Sequence, residues 1–258
     1  MKAVIKIGGS VLEPNPAPGL VWAVAAAVAA GHELVLVHGG GKALTGLLGR
    51  LGVASRFENG LRVTDEATLA AAILAFAGEV NTRLVGALGA AGVRAVGLTG
   101  LDAHCVGARI ERPELGRVGA VTECRPELWR ALLAAGFVPV LASLAGDGEG
   151  GALNVNADQF AAAVAGGLGA QRMIFVTDVP GVLDARGERL PAVTVAELET
   201  MAADGAIRGG MLPKAEACGA ALRAGVGAVE IVGAEAALRL PELLASAPGA
   251  GTQILETA

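Results

Sequence analysis

The sequence predicts an α/β protein: a three-layer αβα sandwich around a mainly parallel central sheet, built as one domain with two lobes. Three observations carry that expectation. Short β-branched runs alternate with longer alanine- and leucine-rich segments, the rhythm of βαβ units. The runs are apolar on both faces, as in strands covered by helices on either side. Several of them end in glycine-rich junctions.

In chain order the strand candidates are 3–7 (AVIKI), 33–38 (ELVLVH), 94–98 (RAVGL), 137–141 (FVPVL), 172–177 (RMIFVT) and 228–232 (AVEIV). Helix candidates fall at 19–30, 40–51, 65–91, 126–135, 156–168, 195–203 and 213–225. The Gly/Pro-punctuated pieces 53–63, 104–121, 143–154 and 181–190 read as hairpins or lids projecting from the sheet. No linker, repeat or low-complexity tail divides the chain. Residues 1–258 therefore read as one domain, with an N lobe to about 168 and a C lobe from about 169.

Hydrophobic residues make up 53% and charged residues 17%, which supplies a core and excludes disorder. A net charge of −5 and no basic, aromatic surface argue against nucleic acid as a partner. The three cysteines (Cys105, Cys124, Cys218) are far apart and lack metal-ligand spacing, which fits a reduced, cytoplasmic protein. His32, His38 and His104 form no zinc pattern. The longest uncharged stretch, Pro14–His32, holds three prolines and two glycines and reads as a buried helix rather than a membrane span.

Arginines number 16 and lysines four, and three of those lysines lie beside glycine loops. In KIGGS (6–10), Lys6 ends a strand, and Gly8 and Gly9 would let backbone N–H groups approach a phosphoryl group; a tight turn with a snorkelling lysine is the alternative. HGGG (38–41) places Gly39, Gly40 and Gly41 at a strand-to-helix junction, where free N–H groups bind anions, or where close helix–sheet packing needs glycine. It is not a P-loop, because Ala43 follows Lys42 and Leu36 stands where the first glycine belongs. In LNVNADQF (153–160), Asn156 is an N-cap with Gln159 completing a capping box, leaving Asn154 and Asp158; Asp158 could hold cationic side chains. RGGMLPK (208–214) predicts a glycine loop, Pro213 at the first helical position and Lys214 just inside, a phosphate site twice over. VTDVPGVL (176–183) is a strand end and turn that could hold adenine or ribose, and Arg62 in NGLRVT could clamp a carboxylate or be surface charge. GDGEGG (146–151) is a hairpin tip or lid. Ligands of open α/β sheets sit beyond the carboxyl ends of strands, so these groups are expected along one edge.

KIGGS, HGGG, NGLRVT, NVNAD, TDVPGVL and GGMLPK, in this order over nearly the whole chain, resemble the amino-acid kinase family. The resemblance implies an αβα sandwich in which Lys6 and Lys214 stabilise the transferring phosphoryl group and Asp158 orients them. It places the acyl substrate at Gly39, Gly40, Arg62, Asn154 and Asn156, in the N lobe. Gly8, Gly9 and Gly41 fall where backbone N–H groups meet phosphate oxygens. ATP falls at Thr177, Asp178 and Val179, with the turn Pro180, Gly181, Val182 and Leu183. Ala206, Ile207, Arg208 and Gly210 complete that site, in the C lobe; Lys42 is incidental. The implied activity is ATP-dependent phosphorylation of the side-chain carboxylate of N-acetyl-L-glutamate in arginine biosynthesis, with Mg²⁺ carried by ATP and no metal held by the chain. Leu101 stands where many such members carry lysine, so a carrier-protein-linked aminoadipate or glutamate is the alternative substrate. A non-catalytic amino-acid or nucleotide sensor is a third reading. The arginine-inhibited members resemble hexamers with an added N-terminal helix. Here the first strand starts near residue 3, so a homodimer insensitive to arginine is expected, with no membrane partner.

Overall fold

The structure, a computed structural model, describes residues 1–257 apart from Glu13, Asn59, Ala247 and Pro248. Asn59, the first residue of NGLRVT, thus lies outside the described residues. All six predicted strands form within one residue of their expected bounds and join two short ones in an eight-stranded sheet. Its spatial order is Ala192–Thr194, Thr252–Leu255, Val229–Gly233, Arg172–Thr177, Lys2–Ile7, Glu33–His38, Val138–Ala142, Ala95–Thr99. Neighbours are parallel except Val229–Gly233 against Thr252–Leu255. The four strands on one side all come from before residue 168 and the four on the other from after it.

Alternation along the strands explains the three layers. Val4, Val35, Val37, Met173 and Phe175 face one side and pack with Phe160, Ala161 and Ala165 of helix Ala157–Leu168. Ala3, Ile5, Leu34, Leu36 and Ile174 face the other and pack with Leu20 and Val24 of helix Pro18–Ala29, and with Leu84 and Leu88. Both faces are therefore dry, which is why the strands read as unbroken apolar runs. Lys6 is one exception, a charge in the strand at the centre of the sheet, and Arg172 and Glu230 in neighbouring strands are others. The neighbours of Lys6 are Val37 on one side and Phe175 on the other.

Four expectations need correction. The helix carrying Lys214 spans Met211–Arg223, so Pro213 sits third rather than first. Proline is tolerated there because the first four N–H groups of a helix have no intrahelical acceptor. The capping box at Asn156 is half formed: its side chain accepts from Asp158 N–H (2.9 Å) and Gln159 N–H (3.2 Å), with no return bond from Gln159. The pieces near 104–121 and 143–154 form antiparallel hairpins as expected, but they do not project separately from the sheet. Val106–Ile110, Val118–Cys124, Leu144–Gly146 and Ala152–Val155 close into a small barrel. The helix expected over 65–91 is broken into Glu66–Ile73, a π-helical stretch Leu74–Asn81, and Thr82–Ala90. Its wider turn buries Phe76, Val80 and Asn81 together. This run, Glu66–Ala90, is also the one described stretch long and apolar enough to cross a membrane (mean hydropathy 1.3). Here it lies against the sheet and neighbouring helices.

The C-terminal elements Ala234–Ala237, Leu240–Ala245 and Thr252–Leu255 carried no sequence expectation. A buried ion pair contacts the chain at Ser246, Gly249 and Gly251, between the last two of them. Glu230, fully buried, accepts from Gly249 N–H (3.0 Å), Gly251 N–H (2.9 Å) and the Arg172 guanidinium (3.0 Å). Arg172 also donates to Ser246 O (2.7 Å). Removing one partner of such a pair strands the other without water. Glu230→Ala is expected to cost about 3–5 kcal/mol in urea unfolding, and a cost under about 1 kcal/mol would show that the pair is dispensable.

Candidate active site

Three parallel strands end level at the heart of the site: Ile7 pairs with His38 on one side and Val176 on the other. Beyond their carboxyl ends two cavities meet. The larger, about 790 Å³, is lined by Lys6, Gly8, Gly9, Ser10, Thr177, Asp178, Val179, Arg208, Gly210, Met211 and Lys214, among others. The smaller, about 210 Å³, is lined by Gly39, Gly40, Phe76, Ser143, Asn154 and Asn156. Lys6, Gly9, Gly41, Phe57 and Arg62 line both.

Between them sits one carboxylate shared by two lysines. Asp158 lies in the first turn of helix Ala157–Leu168, whose N-terminus abuts the sheet edge. Lys6 Nζ is 2.9 Å from Asp158 Oδ1, and Lys214 Nζ is 3.0 Å from both Asp158 oxygens. All three side chains are nearly buried, at 11%, 8% and 7% exposure for Lys6, Asp158 and Lys214. Burial is the largest influence on Lys6 and pulls its ammonium below the usual lysine range; Asp158 opposes this and Lys214 reinforces it. Burial works to raise the Asp158 carboxyl, and the charges of Lys6 and Lys214 outweigh it, holding it below the usual value. The cluster carries one positive charge in excess. Around the larger cavity five cationic side chains face two carboxylates, although the chain as a whole is acidic. Such a pocket attracts a polyanion.

The glycine loops supply N–H donors, with one correction. Gly8 N–H donates to Val176 O (2.9 Å) and extends the sheet ladder, so it is not free for phosphate. The N–H groups of Gly9, Gly39, Gly40 and Gly41 have no partner among the described residues. Gly40 cannot be replaced cheaply: a Cβ there would stand 2.5 Å from the Phe76 ring.

Arg62 is held rather than loose. It donates to Ser55 Oγ (2.5 Å), Thr45 Oγ1 (2.7 Å) and Gly41 O (3.1 Å), and stacks over Phe57 at 4.5 Å. Asn154 donates to Thr64 Oγ1 (3.0 Å), which fixes its amide at the cavity wall. The turn after Asp178 departs from expectation. Val182 is buried in the core and gives its N–H to Thr252 Oγ1 (2.9 Å), and Ile207 is likewise core. Pro180, Gly181, Val182, Leu183, Ala206 and Ile207 line neither cavity. Lys42 is exposed, at the rim of the larger one. Phe76 and Ser143 are cavity residues that no motif announces.

The fold and this edge of glycine loops and lysines define a phosphoryl-handling α/β protein, and the family model agrees. The amino acid kinase family matches residues 1–233, and the chain belongs to that family. Named relatives narrow the class. It is 44% identical to the acetylglutamate kinase of Koribacter versatilis over 261 residues, covering 100% of both chains. It is 46% identical to that of Solibacter usitatus, over 95% of this chain and 96% of the other. Among solved structures, a Streptococcus mutans protein superposes with a TM-score of 0.86 at 32% identity, covering 99% of this chain and 98% of that one. The Neisseria gonorrhoeae N-acetylglutamate synthase, complexed with coenzyme A and N-acetyl-glutamate, gives a TM-score of 0.84 at 26% identity, over 100% of this chain and 60% of that one.

His38, fully buried behind the loop, is pushed down to about 4, mainly by burial. Its folded value lies below the unfolded one, so the unfolded chain binds the extra proton. That contribution is complete above about pH 6.5 and is lost as pH falls towards 4. The stability advantage of wild type over His38→Asn should therefore shrink across that window in urea titrations. An advantage that grows as pH falls would contradict a neutral buried ring.

Proposed function

We propose that this chain transfers the γ-phosphoryl group of ATP to the side-chain carboxylate of N-acetyl-L-glutamate, giving N-acetyl-L-glutamyl 5-phosphate in the second step of arginine biosynthesis. The observation that carries this is the Lys6–Asp158–Lys214 cluster at the meeting of two cavities, one sized for a small acyl amino acid and one for a nucleotide. The relatives named acetylglutamate kinase, matched over 100% and 96% of their lengths, support the choice of acyl group.

The chemistry suits the residues present. A γ-carboxylate is ionised at pH 7, so its oxygen attacks the γ-phosphorus without a general base. The new P–O bond forms as the bond to the ADP oxygen breaks, and ADP leaves with that electron pair. No proton moves, so the protein's task is positioning and charge. A lysine about 4 Å from the developing oxygen charge contributes roughly 4 kcal/mol at an effective dielectric of 20. In this reading Lys6 and Lys214 meet the transferring group, Asp158 fixes their positions, and Gly9, Gly40 and Gly41 donate N–H groups. Arg62, Asn154 and Asn156 hold the acyl amino acid in the N lobe. Asp178, Val179, Arg208 and Gly210 border the nucleotide in the C lobe.

In this reading Mg²⁺ bound to the phosphates of ATP would supply further charge there, and both Asp158 oxygens contact lysine. A homodimer is proposed on the apolar exposed face of the 66–90 run, which shows Ile73 and Leu74 to solvent. A cytoplasmic location fits the three free cysteines.

A carrier-linked substrate is the second reading. A hollow of about 480 Å³ adjoins the acyl cavity and shares Leu61 and Val118 with it, room for a bulkier acyl group. Leu101, the residue that raised this alternative, packs against the apolar cluster that includes Leu44, Phe76 and Leu144 and does not line the acyl cavity.

Acyl-phosphate formation trapped as the hydroxamate separates these readings. Strong signal with N-acetyl-L-glutamate, and none with L-glutamate or N-acetyl-L-aspartate, is expected. Silence with all three, from protein that still binds Mg·ATP, would contradict the free substrate and favour the carrier-linked one.

A further inference from the structure

Behind the three glycines lies a polar relay in an otherwise apolar layer. Asn81, in the π-helical stretch Leu74–Asn81, is buried, and its amide nitrogen contacts two groups at 2.9 Å: Val140 O and His38 Nε2. His38, also buried, places Nδ1 2.6 Å from Gly39 O. Neither residue lines either of the two cavities described above.

These contacts decide the protonation of the ring. Val140 O can only accept, so the nitrogen of the Asn81 amide must face it. The second N–H of that nitrogen then points at His38 Nε2, which must accept. The single ring proton is left on Nδ1, where it donates to Gly39 O. An imidazolium would set two donors against each other at Nε2, so the geometry admits the neutral ring alone. Burial and the nearby charge of Lys6 disfavour the cation as well.

We propose that Asn81 and His38 are positioning residues for the phosphoryl transfer: the chain Val140–Asn81–His38–Gly39 fixes one imidazole tautomer and so aims the Gly40 N–H at the reacting groups. In a trans peptide the carbonyl and the following N–H point in opposite directions. Tethering Gly39 O to the ring turns the Gly40 N–H away from it; Gly40 lines the smaller cavity, and this N–H has no partner among the described residues. The fold makes room for the relay at both ends. The π turn buries Phe76 and Asn81 together, Phe76 against Gly40 and Asn81 against His38. Across the sheet, Gly97 leaves space that a Cβ would take, 2.0 Å from Asn81 Oδ1.

The proposal rests on the phosphoryl-transfer reading above, and its test separates the two. In wild type carrying ¹⁵N-labelled histidine, the His38 signals, identified by their loss in His38→Asn, are expected to report the Nδ1–H tautomer at pH 7. An Nε2–H tautomer or an imidazolium overturns the relay, whatever the activity. In turnover, His38→Leu is expected to lower kcat about 10²-fold, with KM for ATP within about threefold of wild type, as for a lost oxyanion donor. His38→Asn places an amide nitrogen where Nδ1 stood and should recover most of that loss. Unchanged kcat in the leucine variant, or equal loss in both variants, overturns the positioning role. Should the leucine variant not fold, the wild-type tautomer still decides. Wild type that makes no acyl phosphate, yet shows the Nδ1–H tautomer, contradicts the proposed function and leaves the hydrogen-bond chain standing.

Discussion

One carboxylate buried between two ammonium groups is the constraint on which the rest of this structure turns. Asp158 can be ionised in that position because Lys6 and Lys214 both contact it, and the lysines can be buried because Asp158 is there. Two cations on one anion leave a charge unmatched. A purely structural ion pair would be neutral, like Arg172 and Glu230 in the C-terminal half, where the remaining lone pairs are also filled by backbone N–H groups. The Lys6–Asp158–Lys214 cluster keeps a net positive charge, and the N–H groups of Gly9, Gly39, Gly40 and Gly41 nearby have no partner among the described residues.

Bringing those three residues together takes most of the fold. Lys6 comes from the central strand, Asp158 from the first turn of the helix packed on one sheet face, and Lys214 from the helix packed in turn on that one. Parallel strands ending level put KIGGS, HGGG and the Thr177–Asp178 junction on one edge. The division of the sheet near residue 168 places that edge at the join of its two halves. The two cavities meet there, with Lys6, Gly9, Gly41, Phe57 and Arg62 lining both.

Much of this was legible in the sequence because the signals are local. Strands buried on both faces read as apolar runs, and glycine loops with lysines mark strand ends. Asn154 and Asp158 stood out once the cap at Asn156 was accounted for. What was illegible depends on tertiary contact. The π turn at 74–81 leaves no trace in hydrophobic period, so neither Phe76 against Gly40 nor Asn81 against His38 could be read. Gly8 looked like a phosphate donor because composition cannot say that its N–H is consumed by Val176 O. Val182 and Ile207 lie within loops whose neighbours reach the larger cavity, but their own apolar side chains turn into the core. Pro213 suggested the start of a helix that begins two residues earlier, since the first turn tolerates proline at more than one position. The C-terminal strand was missed because it is four residues long, and the carboxylate that receives N–H groups just before it, Glu230, looks like surface charge until the fold buries it.

The central claim is that the excess charge of the lysine pair is there to meet the transferring phosphoryl group. Single-turnover phosphoryl transfer by Lys6→Ala and Lys214→Ala, at saturating Mg·ATP and acyl substrate, tests it most directly. The account predicts that each loses about 10²–10³ in rate with nucleotide binding retained, and a loss below about threefold at either lysine would contradict it.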